Sequence, residues 1–215
     1  MNNKLIVHGI ILSSTPVGEA DRRLVLLTGE CGKISAFARG ARRPNSSLVG
    51  ATRPFAYGEI TLFAGRNSYT VDGFNGINFF KEVSEDLEKS CYASYFVEFA
   101  SYYAREGLEA KEIVRLLYAS LRALEVGEIP LPLIRAIFEL KLMTINGEYS
   151  EEMMGEGGEA AKYAWNYVIK SPMESVFKFN LEKGPMDELL KAVDKLKKYF
   201  VDYNFKSLEV MERMR

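Results

Sequence analysis

The 215-residue chain has one histidine, two cysteines and one tryptophan. It also lacks any apolar run long enough to span a bilayer. A single histidine, His8, sits inside an apolar N-terminal run with no nucleophile paired to it, so a histidine-based catalytic site has little to build on. Cys31 and Cys91 lie far apart and give neither metal-ligand spacing nor a disulfide framework, which fits a reduced, cytoplasmic setting. There is no phosphate-cradling Walker loop, because Gly65-Arg66-Asn67-Ser68 carries no lysine where one is needed. Low-complexity tracts and internal repeats are absent as well. The run Leu5–Leu12 follows a lone Lys4 and meets Ser13, Ser14, Thr15 and Pro16, so it reads as a first strand rather than a targeting segment.

What is present is 47% hydrophobic and 27% charged residues, the balance of a globular protein. The net charge of −1 conceals an asymmetry. Residues 1–80 hold nine Lys/Arg against five Asp/Glu, and seven of the nine are arginines; residues 81–215 hold nineteen against twenty-four. A basic front and an acidic back point to a polyanion site in the first part and another task in the second.

The first eighty residues read as five short strands: Leu5–Ser13, Arg22–Thr28, Lys33–Arg39, Gly58–Ala64 and Tyr69–Phe74. Thr15–Glu19 and Gly65–Asn67 supply turns, Gly29–Gly32 a tight hairpin, and Gly40–Arg53 a long polar loop. Five strands with glycine turns in so short a span predict a small closed β-barrel, the oligonucleotide-binding (OB) barrel first among them. After Gly76 the period becomes helical, predicting helices over Glu82–Glu106, Ala110–Val126, Leu131–Ile145, Ala160–Ile169 and Met186–Phe205. The expected architecture is α+β: an OB-fold domain over residues 1–80 and an all-α domain over 81–215.

The densest chemistry lies in Gly32–Ser47. Alternation puts Ile34 and Ala36 on one face of the third strand and Lys33, Ser35, Phe37 and Arg39 on the other, with Arg42 and Arg43 just beyond. Cations neutralise phosphates and a ring stacks on a base, so this face suits a nucleic-acid backbone; an ordinary solvated strand face is the plainer reading. Phe37 and Tyr69 alternate onto strand faces, where core packing is the default and stacking the sharper reading. Phe55, Tyr57 and Phe63, and most of Tyr92, Tyr95, Phe96, Phe99, Tyr102 and Tyr103, are expected in cores. Glu19 and Asp21 read as turn acids pairing with Arg22 or Arg23, or as the start of a nuclease metal site. Lys191, Lys195, Lys197 and Lys198 form a basic side on the last long helix, beside Leu189, Leu190, Leu196 and Phe200. That side is either a solvated face or a dock for an acidic peptide ending in an apolar residue.

The segments Gly9–Ser14, Gly18-Glu-Ala-Asp-Arg-Arg23, Leu26–Thr28, Gly32–Ile34, Ala38-Arg-Gly-Ala-Arg-Arg-Pro44 and Pro54-Phe55 resemble the RecO family of bacterial recombination-mediator and DNA-repair proteins. Phe138-Glu-Leu-Lys-Leu142 followed by Gly147 extends the likeness into the helical half. The resemblance implies an OB domain and a helical domain, binding of single- and double-stranded DNA, annealing of complementary strands, and help in loading RecA. It implies RecR and the acidic C-terminal tail of single-stranded-DNA-binding protein as partners, with no membrane and no enzymatic activity, in a nucleoid-associated cytoplasmic protein. Carried over by position, the DNA-contact candidates are Lys33, Arg39, Arg42 and Arg43, then Arg53 and Arg66; Phe37, placed by the strand alternation, is the candidate stacking ring. Lys191, Lys195 and Lys198 are the partner-binding candidates. Many relatives carry a four-cysteine zinc site after the third helix. Tyr149–Lys162 here has Met153, Met154 and glycines but no cysteine or histidine, so no metal or other cofactor is expected. The competing function is a protein adapter whose basic loop docks an acidic partner without touching DNA.

Overall fold

A computed structural model describes residues 4–66, 68–150, 154–155 and 157–213. Asn67 of the expected turn and Met153 of the Tyr149–Lys162 segment lie outside them. Five strands, β1 (Lys4–Val17), β2 (Asp21–Thr28), β3 (Gly32–Ala38), β4 (Tyr57–Ala64) and β5 (Tyr69–Asn78), close into a barrel in the order β1-β2-β3-β5-β4. Its β3–β5 pairing is parallel, the others antiparallel. This is the OB barrel that the turn spacing predicts.

Closure rests on the length of β1, whose first half pairs with β4 and whose second half pairs with β2. The strand can cross between them because Gly9 has no side chain; a Cβ there would lie 2.5 Å from the Leu27 carbonyl oxygen. The expected turn over Thr15–Glu19 is strand as far as Val17, and the reversal falls to Gly18, at φ 56°. Inward residues Val7, Ile11, Leu24, Leu26, Ile34, Ala36, Ile60, Leu62 and Val71 fill the barrel.

Among the described residues seven helices follow: α1 (Lys81–Glu85), α2 (Leu87–Tyr103), α3 (Lys111–Val126), α4 (Leu131–Ile145), α5 (Glu159–Lys170), α6 (Lys183–Phe200) and α7 (Lys206–Arg213). Two differ from the pattern reading. The helix expected over Glu82–Glu106 breaks at Asp86, whose carboxylate accepts the Lys89 N–H at 2.9 Å and caps α2. The helix expected to reach Phe205 stops at Phe200, where buried Val201 and Phe205 hold an extended stretch before α7.

The chain forms two compact units, one of residues 1–81 and 97–114, the other of 82–96 and 115–215. In the first, the chain after α2 is stitched to the β2–β3 hairpin. Lys33 N–H donates to the Arg105 carbonyl (3.3 Å), Gly107 N–H to that of Cys31 (3.0 Å), and Ala110 N–H to that of Gly29 (2.9 Å). Gly32 makes this approach possible: at φ 67°, a Cβ on it would sit 2.0 Å from the Arg105 carbonyl oxygen.

The second unit is built around α4, buried from Leu133 to Met143, with Phe138 stacked on Phe96 at 4.3 Å. Helices α5 and α6 pack against it. Two charged residues within α4 have specific reasons to be there. Lys141 donates to the Val168, Ile169 and Ser171 carbonyls (3.1, 3.0 and 2.7 Å), closing the C-terminal end of α5, where the helix dipole favours a cation. Glu139, fully buried, accepts from Tyr95 Oη, Arg135 Nε (3.0 Å) and Lys197 Nζ (2.8 Å); Asp194 joins Arg135 (2.6 Å) and Lys197 (3.2 Å) at the rim. Burial alone would raise the Glu139 carboxyl, but Lys197 and Arg135 outweigh it and hold it below the usual carboxylate range. Burial, then the Glu139 charge, pushes the Tyr95 phenol well up.

Candidate nucleic-acid interface

The β2–β3 hairpin fixes which side chains share the outer face. Counting from the Thr28–Gly32 pair, the register sets Arg23 opposite Phe37 and Val25 opposite Ser35. The core takes Ile34 and Ala36, so Lys33, Ser35 and Phe37 face out, half-buried. Phe37 is therefore no core residue, whereas Tyr69 packs its ring partly against the barrel interior. Arg23 donates from Nη2 to Ser35 Oγ at 3.3 Å. With Phe37, Ser68 and Glu106 these two line an open cavity of about 360 Å³.

The arginine loop leaves the top of β3 and is held against the β1–β2 turn. Gly40 N–H donates to the Asp21 carboxylate (2.7 Å), Arg42 N–H to the Ala20 carbonyl (2.9 Å), and Arg42 Nη1 to the Gly18 carbonyl (3.0 Å). Arg43 folds back over Gly40. These bonds give the loop a fixed shape while Arg39, Arg42 and Arg43 stay exposed.

Asp21 thus anchors the loop backbone rather than pairing with Arg22 or Arg23; Arg22 donates to Ser14 Oγ at 3.2 Å. Among the described residues no group of three or more His, Cys, Asp or Glu is arranged to hold a metal ion. The segment Tyr149–Lys162 contains no cysteine or histidine, so its sequence does not supply a four-ligand zinc set of the cysteine and histidine kind.

The other candidates are dispersed. Lys33, on the outer face, is tied down by its ammonium to α2, at the Ser101 carbonyl (2.6 Å) and Oγ (3.3 Å). Arg66 is exposed in the β4–β5 turn, which Gly65 N–H closes onto the Ser68 carbonyl (2.9 Å). Arg53, also exposed, follows the 3-10 turn Gly50–Thr52 on another part of the loop. On α6, Lys191, Lys195 and Lys198 share an exposed face. Lys197 does not belong with them: it is buried on Glu139, on the helix side that carries Val193 and Leu196.

His8 lies on the barrel surface between two carboxylates, Nδ1 3.3 Å from Glu30 and Nε2 3.9 Å from Glu59. Burial, then the Glu30 charge, pushes the Cys31 thiol up, away from thiolate reactivity.

Sequence reasoning missed Arg23 and Glu106. Arg23 was legible from the hairpin, since it lies as far before Thr28 as Phe37 lies after Gly32. Nothing in the local sequence signals Glu106, which reaches β3 from seventy residues downstream.

The family models for the recombination protein O N-terminal and C-terminal regions match residues 1–80 and 84–151. The chain belongs to the RecO family. Curated relatives bear the name DNA repair protein RecO. One from Acetivibrio thermocellus is 28% identical over 99% of this chain and 98% of its own. Others, from Alkaliphilus metalliredigens and Symbiobacterium thermophilum, are each 37% identical, over 65% and 66% of this chain and 57% and 56% of theirs. Membership places the chain among DNA repair and recombination proteins. No helix of the described residues is long and apolar enough to cross a membrane.

Proposed function

We propose that the chain is a non-catalytic mediator of recombinational repair that binds single- and double-stranded DNA through the outer face of its barrel. The observation that carries this reading is the pinned loop with Arg39, Arg42 and Arg43 exposed, continuous in sequence with a strand face bearing Phe37 and Arg23. Arginine forks engage phosphates without reading sequence, and a half-buried ring offers a stacking platform. Two complementary strands gathered on one cationic surface lose part of their mutual repulsion, which favours annealing. Family membership supports RecR as a partner and RecA loading as the outcome. The exposed Lys191, Lys195 and Lys198 face supports docking of the acidic tail of single-stranded-DNA-binding protein.

The test is binding of a fluorescent single strand across a salt series. If Arg39, Arg42 and Arg43 each meet a phosphate, replacing all three by alanine lowers the slope of log affinity against log salt by about 2. A variant with the native slope would remove the loop from the interface. Native protein that binds no strand at low salt would leave the adapter function standing instead.

A further inference from the structure

The parallel pairing of β3 with β5 is only two residues long, Ala36 with Tyr69 and Phe37 with Thr70. Below it the edge of β3 is taken over by the chain after α2, through the bridge between Gly32 and Glu106. The cavity lies at this change of partner, with Ser68 contributed by the β5 side, Glu106 by the later chain, and Phe37, Ser35 and Arg23 by the hairpin. Its volume, about 360 Å³, falls at the small end of ligand sites, which span roughly 300–1,000 Å³. A carboxylate is an odd neighbour for a phosphate-binding face, and the Glu106 carboxylate makes no hydrogen bond or ion pair with a described residue. One aromatic ring, one acceptor-only group, one guanidinium and two hydroxyls make a set suited to a base rather than to a backbone.

We infer that this cavity takes a single unstacked nucleobase from the bound strand and favours guanine, an inference that rests on the proposed DNA-binding face. Phe37 offers its ring to stack on the base. The Glu106 carboxylate accepts from adjacent donors, and only guanine presents two side by side, N1–H and the N2 amine, on its Watson–Crick edge. Thymine offers one N–H flanked by carbonyl oxygens that the carboxylate repels; cytosine and adenine offer an amine alone. Arg23, exposed at the rim and steadied by Ser35, is placed for the phosphate beside that base.

The test compares dodecamers of thymidine that carry one central guanine, inosine or no substitution, bound to the full chain at one fixed salt concentration and read by fluorescence anisotropy. The guanine strand should bind about 5-fold tighter than all-thymidine or better, as a bidentate contact to a base allows. Inosine, which lacks only the N2 amine, should fall between. Glu106→Gln should erase the ranking, and Phe37→Ala should weaken all three strands. Equal affinities for the three strands in the native protein would overturn the inference and leave DNA binding intact. So would a Glu106→Gln variant that strengthens all three equally, because the carboxylate would then act only by repelling phosphate. If no strand binds, the inference falls together with the DNA-binding function.

Discussion

Replacing Glu139 by glutamine keeps the volume of the side chain and removes its charge, leaving Arg135 and Lys197 buried with only Asp194, 43% exposed, to balance them. Glu139 is wholly shielded from solvent, so water does not screen the loss. Taking one partner out of a buried ionic group costs about 3–5 kcal/mol, and the surviving Asp194 contacts put this case near 3. With a urea dependence of about 2–3 kcal/mol per molar, the unfolding midpoint should fall by roughly 1 M. Trp165, the sole tryptophan, is fully buried in the same unit and reports it without interference from the barrel. Lys197→Gln should cost a similar amount, and the double variant clearly less than the two together, because each single change strands a charge that the double one does not. A midpoint shift under about 0.3 M for Glu139→Gln, or strict additivity, would refute the account, since the charges would then be hydrated or independently compensated.

The same network sets the limits of stability against pH. The Glu139 carboxyl lies lower in the folded protein than its usual value of 4.5, so its contribution is full above that value and lost as acid protonates it. Tyr95 is raised above 10, so its contribution is full below pH 10 and is lost in stronger alkali; Tyr95→Phe should remove that alkaline limb in a melt series. Gly32→Ala should lower stability by at least about 2 kcal/mol, because the new Cβ must displace the Arg105 carbonyl at a left-handed φ; thermal unfolding of the full chain followed by circular dichroism checks it. Lys141→Met leaves three carbonyls at the end of α5 without their cation and should cost about 2–3 kcal/mol by the Trp165 urea assay, with native-like stability refuting the cap.

The barrel was readable because its signals are local. Alternation from Lys33 to Ala38 separates the faces, and the glycine hairpin fixes the register. Helix α4 could be bounded to the residue, since Pro130 enters it and Asn146-Gly147 ends it. The charged residues misread on the helices share one cause: they are engaged in tertiary contacts, whereas composition prices them as solvent-facing. Lys197 looked like its neighbours Lys195 and Lys198, although it falls four residues after buried Val193, on the apolar stripe. Arg135 and Glu139, four apart in an otherwise apolar helix, carried the same warning. Asp86 was recognisable as a start signal, yet the apolar run on either side masked the break it makes. That Arg39, Arg42 and Arg43 stay exposed was readable, because they crowd a polar loop rich in proline, asparagine and serine. The tying of Lys33 to α2 depends on Ser101, which no local pattern brings near.

The handover of the β3 edge from β5 to the chain around Glu106 bears on how the protein matures during synthesis. A nascent chain that has emerged only to residue 80 holds all five strands, but the lower edge of β3 still presents open backbone groups to any passing strand. That edge is sealed only when residues 105–110 arrive and bond to Cys31, Lys33 and Gly29. That last seam closes across some seventy residues of intervening chain, and an excised 1–80 fragment, which lacks residues 105–110, would be prone to self-association along the open edge.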